Sequence, residues 1–392
     1  MTRSAPPHNW GMSELASLAV SPSAPTTTAA ALAGFVTAAM AGNTIAAYRS
    51  DWDRFERWCQ ARGTPAIPAT PAVLATYLAE AASQPGTSPS RRWRYSPSTL
   101  ARWVAGIDKA HELAGLPGPG SHPEVRAVLS GIRRTRATPP VRRVPLLLDD
   151  IERVVAALAT SGWPAALAGW RDRAILVMGW VGAFRRSELV GLMAADVSLH
   201  PEDGLYVVLR RSKTDQEAEG TLRALPYARR RPLLCAPCAW VAWTGLLSAW
   251  EGYDDGPGGR PGLMRAVRAI ASCTSHLCGD THLVARAEAM ARVAPDAPLL
   301  RHLSPNGAIG ASALSGHAMN LVVKRRAAAV GLPAARLGGH SLRAGFVTQA
   351  FRSGASAHAI MRQTGHRDPA VLETYSREGA PLVGNAVTEL GL

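Results

Sequence analysis

The sequence predicts a mainly α-helical protein of two domains, with a small antiparallel β-sheet in the second. Its 392 residues are enough for two hydrophobic cores. Apolar and aromatic residues recur at helical spacing along most of the chain, whereas two short segments alternate as strands do. A proline- and arginine-rich break without periodicity, TRATPPVRRVP (135–145), separates an all-helical first half from the mixed second half.

The first half contains four predicted helices. The second and the third carry proline at the first helical position, and the first has Asn43 as its N-cap candidate. These helical segments span 43–63, 70–82, 96–116 and 122–134, and Gly63 is predicted to follow the end of the first helix. We expect a disordered leader rich in Ser, Thr, Pro and Ala at 1–29, a helical domain at 30–135 and a basic linker at 136–145.

The second domain, 146–392, is predicted to be mostly helical around two strands joined by a polar turn. The predicted helices lie at 148–159, 169–184, 235–250 and from 315 onward, and the strands at 204–215 and 220–228. The segment 251–300 is rich in Gly and Pro at first, and an Ala/Arg helix is predicted around 282–293. We interpret 251–300 as an insertion.

The net charge of +14 and the pI near 10.4 favour a polyanionic partner, above all nucleic acid. Between 91 and 145 there are eleven basic residues and three acids. The predicted DNA contacts are Arg91, Arg92, Arg94, Arg133, Arg134, Arg142 and Arg143. A high-GC genome, which fills protein surfaces with arginine, is the alternative explanation of the charge, because only three of the 43 basic residues are lysines.

Several classes of protein are disfavoured by composition. No apolar run has the length of a membrane span, and the N-terminus lacks a secretory signal pattern. Five irregularly placed cysteines fit a reducing compartment, so we expect a cytoplasmic protein. A nucleic-acid partner would make it nucleoid-associated. A zinc site is a weaker interpretation of CAPC (235–238) with Cys273, His276, Cys278 and His282. The prediction is no metal and no cofactor.

Four short segments carry residue types suited to chemistry. Each alone has a high false-positive rate. They are GAFRRSELVGL (182–192) with Arg185 and Glu188, RRSKTD (210–215) with Lys213, GGHSLRAGF (338–346) with His340 and Arg343, and TGHRDPAVLETYSR (364–377) with His366 and Tyr375. The His340–Arg343 spacing places imidazole and guanidinium on one helix face, and the preceding glycines leave room for a close approach.

Taken in this order, the four segments resemble the motif boxes of the tyrosine recombinase (phage integrase) family, over about residues 30–390. The resemblance implies a helical, SAM-like core-binding domain followed by a catalytic domain. It further implies that Arg185 and Arg343 hold the scissile phosphate, with Tyr375 as nucleophile. Arg186 is the rival of Arg185, but the phrase RRSEL favours Arg185.

The remaining roles also follow from the resemblance. Lys213 is the expected general acid for the leaving 5′-oxygen, because lysine, unlike arginine, can release a proton. His340 would assist proton transfer at the tyrosine, and His366 would hydrogen-bond the phosphate. Glu188 is expected to support the arginine box without direct chemistry.

The implied function is a site-specific DNA recombinase, or integrase, that cleaves and rejoins duplex DNA through a 3′-phosphotyrosine, without ATP or metal. The resemblance implies a clamp on duplex DNA and four protomers on two DNA sites, with no membrane and no small-molecule substrate. The alternatives are a type IB topoisomerase-like nicking and closing enzyme, or a catalytically silent DNA-binding architectural protein.

Overall fold

The computed structural model describes residues 42–88, 92–136, 143–210, 220–251, 259–271, 293–383 and 390. The chain divides into two compact units, Met1–Pro140 and Val141–Leu392. The described parts of both units are mainly helical, and short antiparallel strands occur in the second, as the sequence predicts. The predicted leader (1–29) lies outside the described residues.

The first unit contains four helices, close to the four predicted ones. They are α1 Gly42–Gln60, α2 Pro71–Ser83, α3 Pro97–Leu113 and α4 Pro123–Thr135. Thr70 and Ser96 cap α2 and α3 through their hydroxyls, and proline follows each cap. The helix α1 ends two residues earlier than predicted, and Gly63, predicted to follow the helix, lies in the turn after it with a φ of 62°.

Aromatic side chains form the core of this unit. Trp52, Phe55 and Trp103 are fully buried, and Tyr77 lies between rings, 5.1 Å from Phe55 and 5.5 Å from Trp103 between centroids. Burial of these large side chains supplies the main stabilisation. The aromatic stripes of the sequence are therefore core.

The second unit contains nine helices among its described residues. They are α5 Leu148–Ala156, α6 Ala165–Val181, α7 Arg186–Val190, α8 Ala236–Glu251, α9 Arg260–Ala271, α10 Gly316–Ala328, α11 Gly339–Arg352, α12 Ala357–Thr364 and α13 Pro369–Gly379. The apolar helix α6 lies at the centre of the core, where Ile175, Val177 and Met178 are fully buried. The neighbours that α6 contacts most extensively are α8 and α11.

Two small antiparallel sheets accompany these helices. One has the order β1-β2-β3, formed by Val197–His200, Gly204–Leu209 and Thr221–Leu225, and the other pairs β4 Arg301–Leu303 with β5 Ile309–Ala313. The strands β1, β4 and β5 were not predicted, since runs of three to five residues give little periodic signal. Within 251–300, α9 occupies part of the interpreted insertion, whereas the helix predicted around 282–293 lies almost wholly outside the described residues.

Candidate active site

The turn after α6 is where side chains from distant segments meet. The C-terminal carbonyls of a helix have no partner within the helix, and they favour nearby cations. Three successive carbonyls here accept hydrogen bonds from three other elements. These are Val181 O from Gln363 Nε2 at 3.1 Å, Gly182 O from Arg223 Nη1 at 2.9 Å, and Ala183 O from Arg343 Nη1 at 2.7 Å.

Arg185 follows this turn and is held by Glu188. The Glu188 carboxylate accepts from the Arg185 backbone N–H at 2.8 Å and from Arg185 Nη1 at 2.6 Å. Glu188 is buried, and its second cationic partner is Arg223 Nη2 at 3.3 Å. The guanidinium of Arg185 therefore has a fixed orientation while its side chain remains 19% exposed. The supporting role expected for Glu188 stays a prediction.

Buried Arg343 forms a pair with half-buried His366. Arg343 is 2% exposed, and its Nη2 donates to His366 Nε2 at 2.9 Å. Since the guanidinium can only donate, Nε2 accepts and the proton of the neutral ring lies on Nδ1, which meets Thr364 Oγ1 at 2.8 Å. The predicted hydrogen bond from His366 to a phosphate requires a proton on Nε2 and the loss of the Arg343 contact.

Tyr375 and His340 form a second pair. We refer to Arg185, His340, Arg343, His366 and Tyr375 together as the cluster. The hydroxyl of Tyr375, on α13, lies 3.0 Å from Nε2 of His340, which is the second residue of α11. The Tyr375 ring centroid is 6.2 Å from each imidazole, that of His340 and that of His366. A cavity of about 530 Å³ opens beside the hydroxyl, with Arg143 and Asp368 among its lining residues.

The electrostatics of the cluster keep both imidazoles neutral. Desolvation and the positive charges of Arg343 and Arg185 lower the pKa of His340, and the same causes lower the pKa of His366 to about 4. Burial and the charge of Arg185 lower the pKa of Arg343 to about 10, so it stays protonated at neutral pH. Burial alone would raise the pKa of Glu188, but Arg223 and Arg185 outweigh it and the pKa is lowered.

Five of the six predicted catalytic residues thus come together: Arg185, His340, Arg343, His366 and Tyr375. The sixth, Lys213, lies outside the described residues, in the segment between β2 and β3. Arg186, the rival of Arg185, is exposed and packs near Gly316 and Gly339. Arg185, rather than Arg186, pairs with the buried glutamate.

The two glycines before His340 have a structural reason different from the one first inferred. A Cβ on Gly338 or on Gly339 would lie 3.2 Å from Oδ1 of Asn320, and that oxygen accepts the Gly339 N–H at 2.7 Å. The space beside Gly338 and Gly339 is therefore occupied by the Asn320 side chain. The glycines therefore seat the start of α11 against Asn320 on α10.

The predicted DNA-contact arginines fall into three groups. Arg91 and Arg142 lie outside the described residues. Arg92, Arg94, Arg133 and Arg134 are exposed, and the first two lie over the Trp93 and Tyr95 rings at 5.3 and 5.5 Å. Arg143 is exposed, but its Nη1 donates to the Ala335 carbonyl at 2.9 Å. The stacking of Arg92 and Arg94 on aromatic rings restricts their guanidinium groups without removing the positive charge.

Neither the zinc interpretation nor a membrane span gains support from the described residues. Cys235 and Cys238 are buried in the second unit, and the described residues contain no group of three or more His, Cys, Asp or Glu side chains placed to hold a metal. Cys273, His276, Cys278 and His282 lie outside them. None of the described helices is both long and apolar enough to cross a membrane.

The chemistry available to this cluster is nucleophilic attack on an anionic ester. A phenol next to a neutral imidazole can lose its proton as it attacks, and adjacent guanidiniums can stabilise the charge that develops on phosphoryl oxygens. Arg223, Thr364 and Gln363 were missed by sequence reasoning. The signal for Arg223 was its position in β3, in phase with Leu225 and paired in register with Val207, both of which are buried.

Comparison with known proteins confirms the resemblance to the tyrosine recombinases, and the fold is theirs. The chain is similar to the Tn1549 transposon integrase solved with transposon right end DNA, with a TM-score of 0.51, 14% identity, and 89% and 94% of the two chains covered. It is also similar to the XerH site-specific recombinase bound to palindromic difH, with a TM-score of 0.50, 12% identity, and 94% and 86% covered.

In sequence, the chain is similar to the integrase/recombinase xerD homolog of Selenomonas ruminantium. The two are 29% identical over 353 residues, which cover 89% of this chain and 86% of that protein. No protein-family model matches the chain. An alignment of this length necessarily includes residues of both units.

Proposed function

We propose that this chain is a site-specific tyrosine recombinase that cuts and rejoins duplex DNA. The observation that carries the proposal is the Tyr375 hydroxyl, 3.0 Å from the neutral His340 imidazole and next to the Arg343–His366 pair. The relatives support it, since the curated one is named an integrase/recombinase and the two solved structures are complexes with DNA.

The first chemical step is attack by the Tyr375 oxygen on the scissile phosphorus. His340 Nε2 accepts the phenolic proton, and Arg185 and Arg343 stabilise the added negative charge on the non-bridging oxygens. The bond to the 5′-oxygen breaks, and Lys213 supplies the proton to this leaving group. The products are a 3′-phosphotyrosine and a free 5′-hydroxyl.

Rejoining reverses these roles with a second 5′-hydroxyl as nucleophile. The phosphotyrosine conserves the energy of the phosphodiester, so the cycle consumes no ATP. Strand exchange joins two duplexes, and we propose that four protomers act on two DNA sites. Integration or excision of a mobile element fits this chemistry, and DNA as substrate puts the protein in the cytoplasm with the nucleoid.

We also propose the division of labour between the domains. Residues 30–135 bind the duplex, and the stacked arginines Arg92 and Arg94, with Arg133 and Arg134, contact phosphates. Residues 136–145 form the linker and 146–392 the catalytic domain. The arginine–aromatic stacking supports this role, because it presents the charge with little loss of side-chain freedom on binding.

The test is capture of the covalent intermediate. Fragmented host genomic DNA is incubated with the full chain, the reaction is stopped in SDS, and protein-linked DNA is recovered and sequenced. We expect one recurrent sequence whose 3′ end is joined to a peptide containing Tyr375. Adducts at unrelated sequences, with relaxation of supercoiled plasmid lacking that sequence, would favour the topoisomerase alternative. No adduct from any DNA would contradict the proposal.

A pH dependence follows from the lowered pKa of His340. The neutral ring is the base, and the lowered pKa keeps it neutral to a pH below the ordinary imidazole value of about 6.5. The rate of adduct formation on a nicked duplex should therefore be unchanged as pH falls through about 6.5 and should decrease only below it. His340→Gln should be slow and should lack this decrease. A wild-type rate that already halves near pH 6.5 would contradict the assignment, provided that circular dichroism shows folded protein.

A further inference from the structure

A buried arginine outside the four motif segments connects two of them. Arg223, on β3, is 2% exposed. Its Nη1 donates to the Gly182 carbonyl at 2.9 Å, and its Nη2 donates to the Thr364 carbonyl at 3.0 Å and lies 3.3 Å from Glu188 Oε2. Its partners belong to the segment that carries Arg185 and to the one that carries His366, which are far apart in sequence.

The setting of Arg223 leaves it little freedom. Its guanidinium lies over the Phe184 ring at 5.1 Å from the centroid, and Nε has no hydrogen-bond partner among the described residues. A Cβ on Gly365, which has a φ of 68°, would lie 3.4 Å from Nη2. The left-handed Gly365 thus ends α12 against the guanidinium, and the chain then turns to His366.

We propose that Arg223 is a positioning residue for DNA cleavage: by tying the Gly182 and Thr364 carbonyls and the Glu188 carboxylate together, it sets the distance between Arg185 and His366. This inference rests on the proposed function. Arg185 is oriented by Glu188, and His366 is oriented by Thr364, so each acts through a group that Arg223 holds. Arg223 itself need not touch DNA.

Lysine cannot replace this arginine. The three contacts come from two guanidinium nitrogens in a planar fork, whereas an ammonium is a single point with no fixed plane. Removing the charge altogether would leave Glu188 with Arg185 alone. Replacement by lysine is expected to weaken the contact between the two segments partly. Removal of the charge is expected to abolish it.

The chain offers a matched control. Arg301, on β4, is 4% exposed, and it pairs with Glu251 Oε1 at 2.6 Å and donates to the Pro298 carbonyl at 3.0 Å. It has the same types of partner as Arg223 but none within the catalytic cluster. Arg301→Met therefore measures what the loss of a buried arginine does through stability alone.

The experiment compares Arg223→Met, Arg223→Lys and Arg301→Met on a nicked duplex carrying the captured sequence. Adduct formation in Arg223→Met should be slower by about 10- to 100-fold, with the DNA dissociation constant changed by less than about threefold. Arg301→Met should cleave within about twofold of wild type at a similar loss of Tm. Equal slowing in Arg223→Met and Arg301→Met overturns the proposal.

Two further measurements keep the test decisive. If Arg223→Met does not fold, Arg223→Lys decides: a rate about 3- to 30-fold below wild type supports the proposal, and a wild-type rate overturns it. Coupling to Glu188 is the second readout. The double variant Arg223→Met with Glu188→Gln should cleave about as slowly as the slower single variant, whereas multiplied losses would mean that Arg223 does not act through Glu188.

Failure of the proposed function gives a different result from failure of this inference. If the wild-type protein forms no adduct, the proposed function is refuted. The positioning role of Arg223 can then still be tested in the DNA-free protein. With ¹³C-labelled histidine, NMR should show that the pKa of His366, about 4 in the wild type, changes in Arg223→Lys, which keeps the positive charge, and is unchanged in Arg301→Met. An unchanged His366 pKa in folded Arg223→Lys would overturn the positioning role.

Discussion

Tyr375→Phe is expected to abolish the covalent adduct, lowering its formation by at least about four orders of magnitude. The change removes one oxygen, which is the nucleophile in the proposed mechanism. It also removes the 3.0 Å contact with His340 but leaves the ring on α13 in place. Since no described backbone contact changes, DNA binding should stay within about threefold of wild type.

The measurement is an SDS gel of the protein with a labelled nicked duplex, together with a filter-binding titration. Tyr227→Phe is the matched control, because its hydroxyl donates to the His200 carbonyl at 3.0 Å on β1, away from the cluster. That variant should form adduct at the wild-type rate. Adduct that persists in Tyr375→Phe would identify a different nucleophile.

Arg343→Lys is expected to slow adduct formation by about 10²- to 10³-fold. Arg343 donates at once to the Ala183 carbonyl and to His366 Nε2, and its fork would hold the phosphate oxygens through the transition state. Lysine keeps the charge but cannot reach both partners in one plane. The loss should therefore appear in the cleavage rate at saturating DNA far more than in affinity.

Single-turnover kinetics over a range of protein concentrations separates the two quantities. Arg301→Lys serves as control for a conservative change at a buried arginine, and it should leave the cleavage rate within about twofold of wild type. A purely structural role for Arg343 predicts instead that both variants lose rate in proportion to their loss of Tm. That outcome would remove Arg343 from the catalytic set.

Much of the fold was predictable because its helices have strong local signals. The helices α2 and α3 carry a hydroxyl cap followed by proline, and their observed starts agree with the predicted ones within a residue. The helix α6 was predicted to start four residues late, since its N-cap Pro164 has no capping side chain. Short strands such as β4 were missed because pairing with a second strand, here β5, determines their conformation more than their own sequence does.

The candidate site was predicted as a set of motifs, and five of its members do meet. The sequence did not predict the contacts that hold these five residues in place. The turn with Ala183 at a φ of 47° has no glycine at that position, so nothing local marks it as unusual. The partners of Arg223 are 41 and 141 residues away, and such long-range contacts have no signature in a single sequence.

The protonation of His340 and His366 was not predictable from the sequence either. Two histidines in a motif do not reveal which nitrogen of each carries the proton. The Arg343 contact assigns the His366 proton to Nδ1, and the lowered pKa leaves His340 Nε2 as an acceptor for the phenol. The roles expected for His340 and His366 therefore remain proposals that the kinetics above test.

The convergence of Arg185, Arg223 and Arg343 on the end of α6 has a thermodynamic consequence. Three guanidiniums surround one carboxylate, Glu188, so their mutual repulsion is only partly relieved in the free protein. An anion placed among them removes that repulsion, and a ligand that binds only the folded state stabilises it by mass action. The second unit is then less stable without a bound anion than with one, and a phosphodiester held among these guanidiniums would raise its free energy of unfolding.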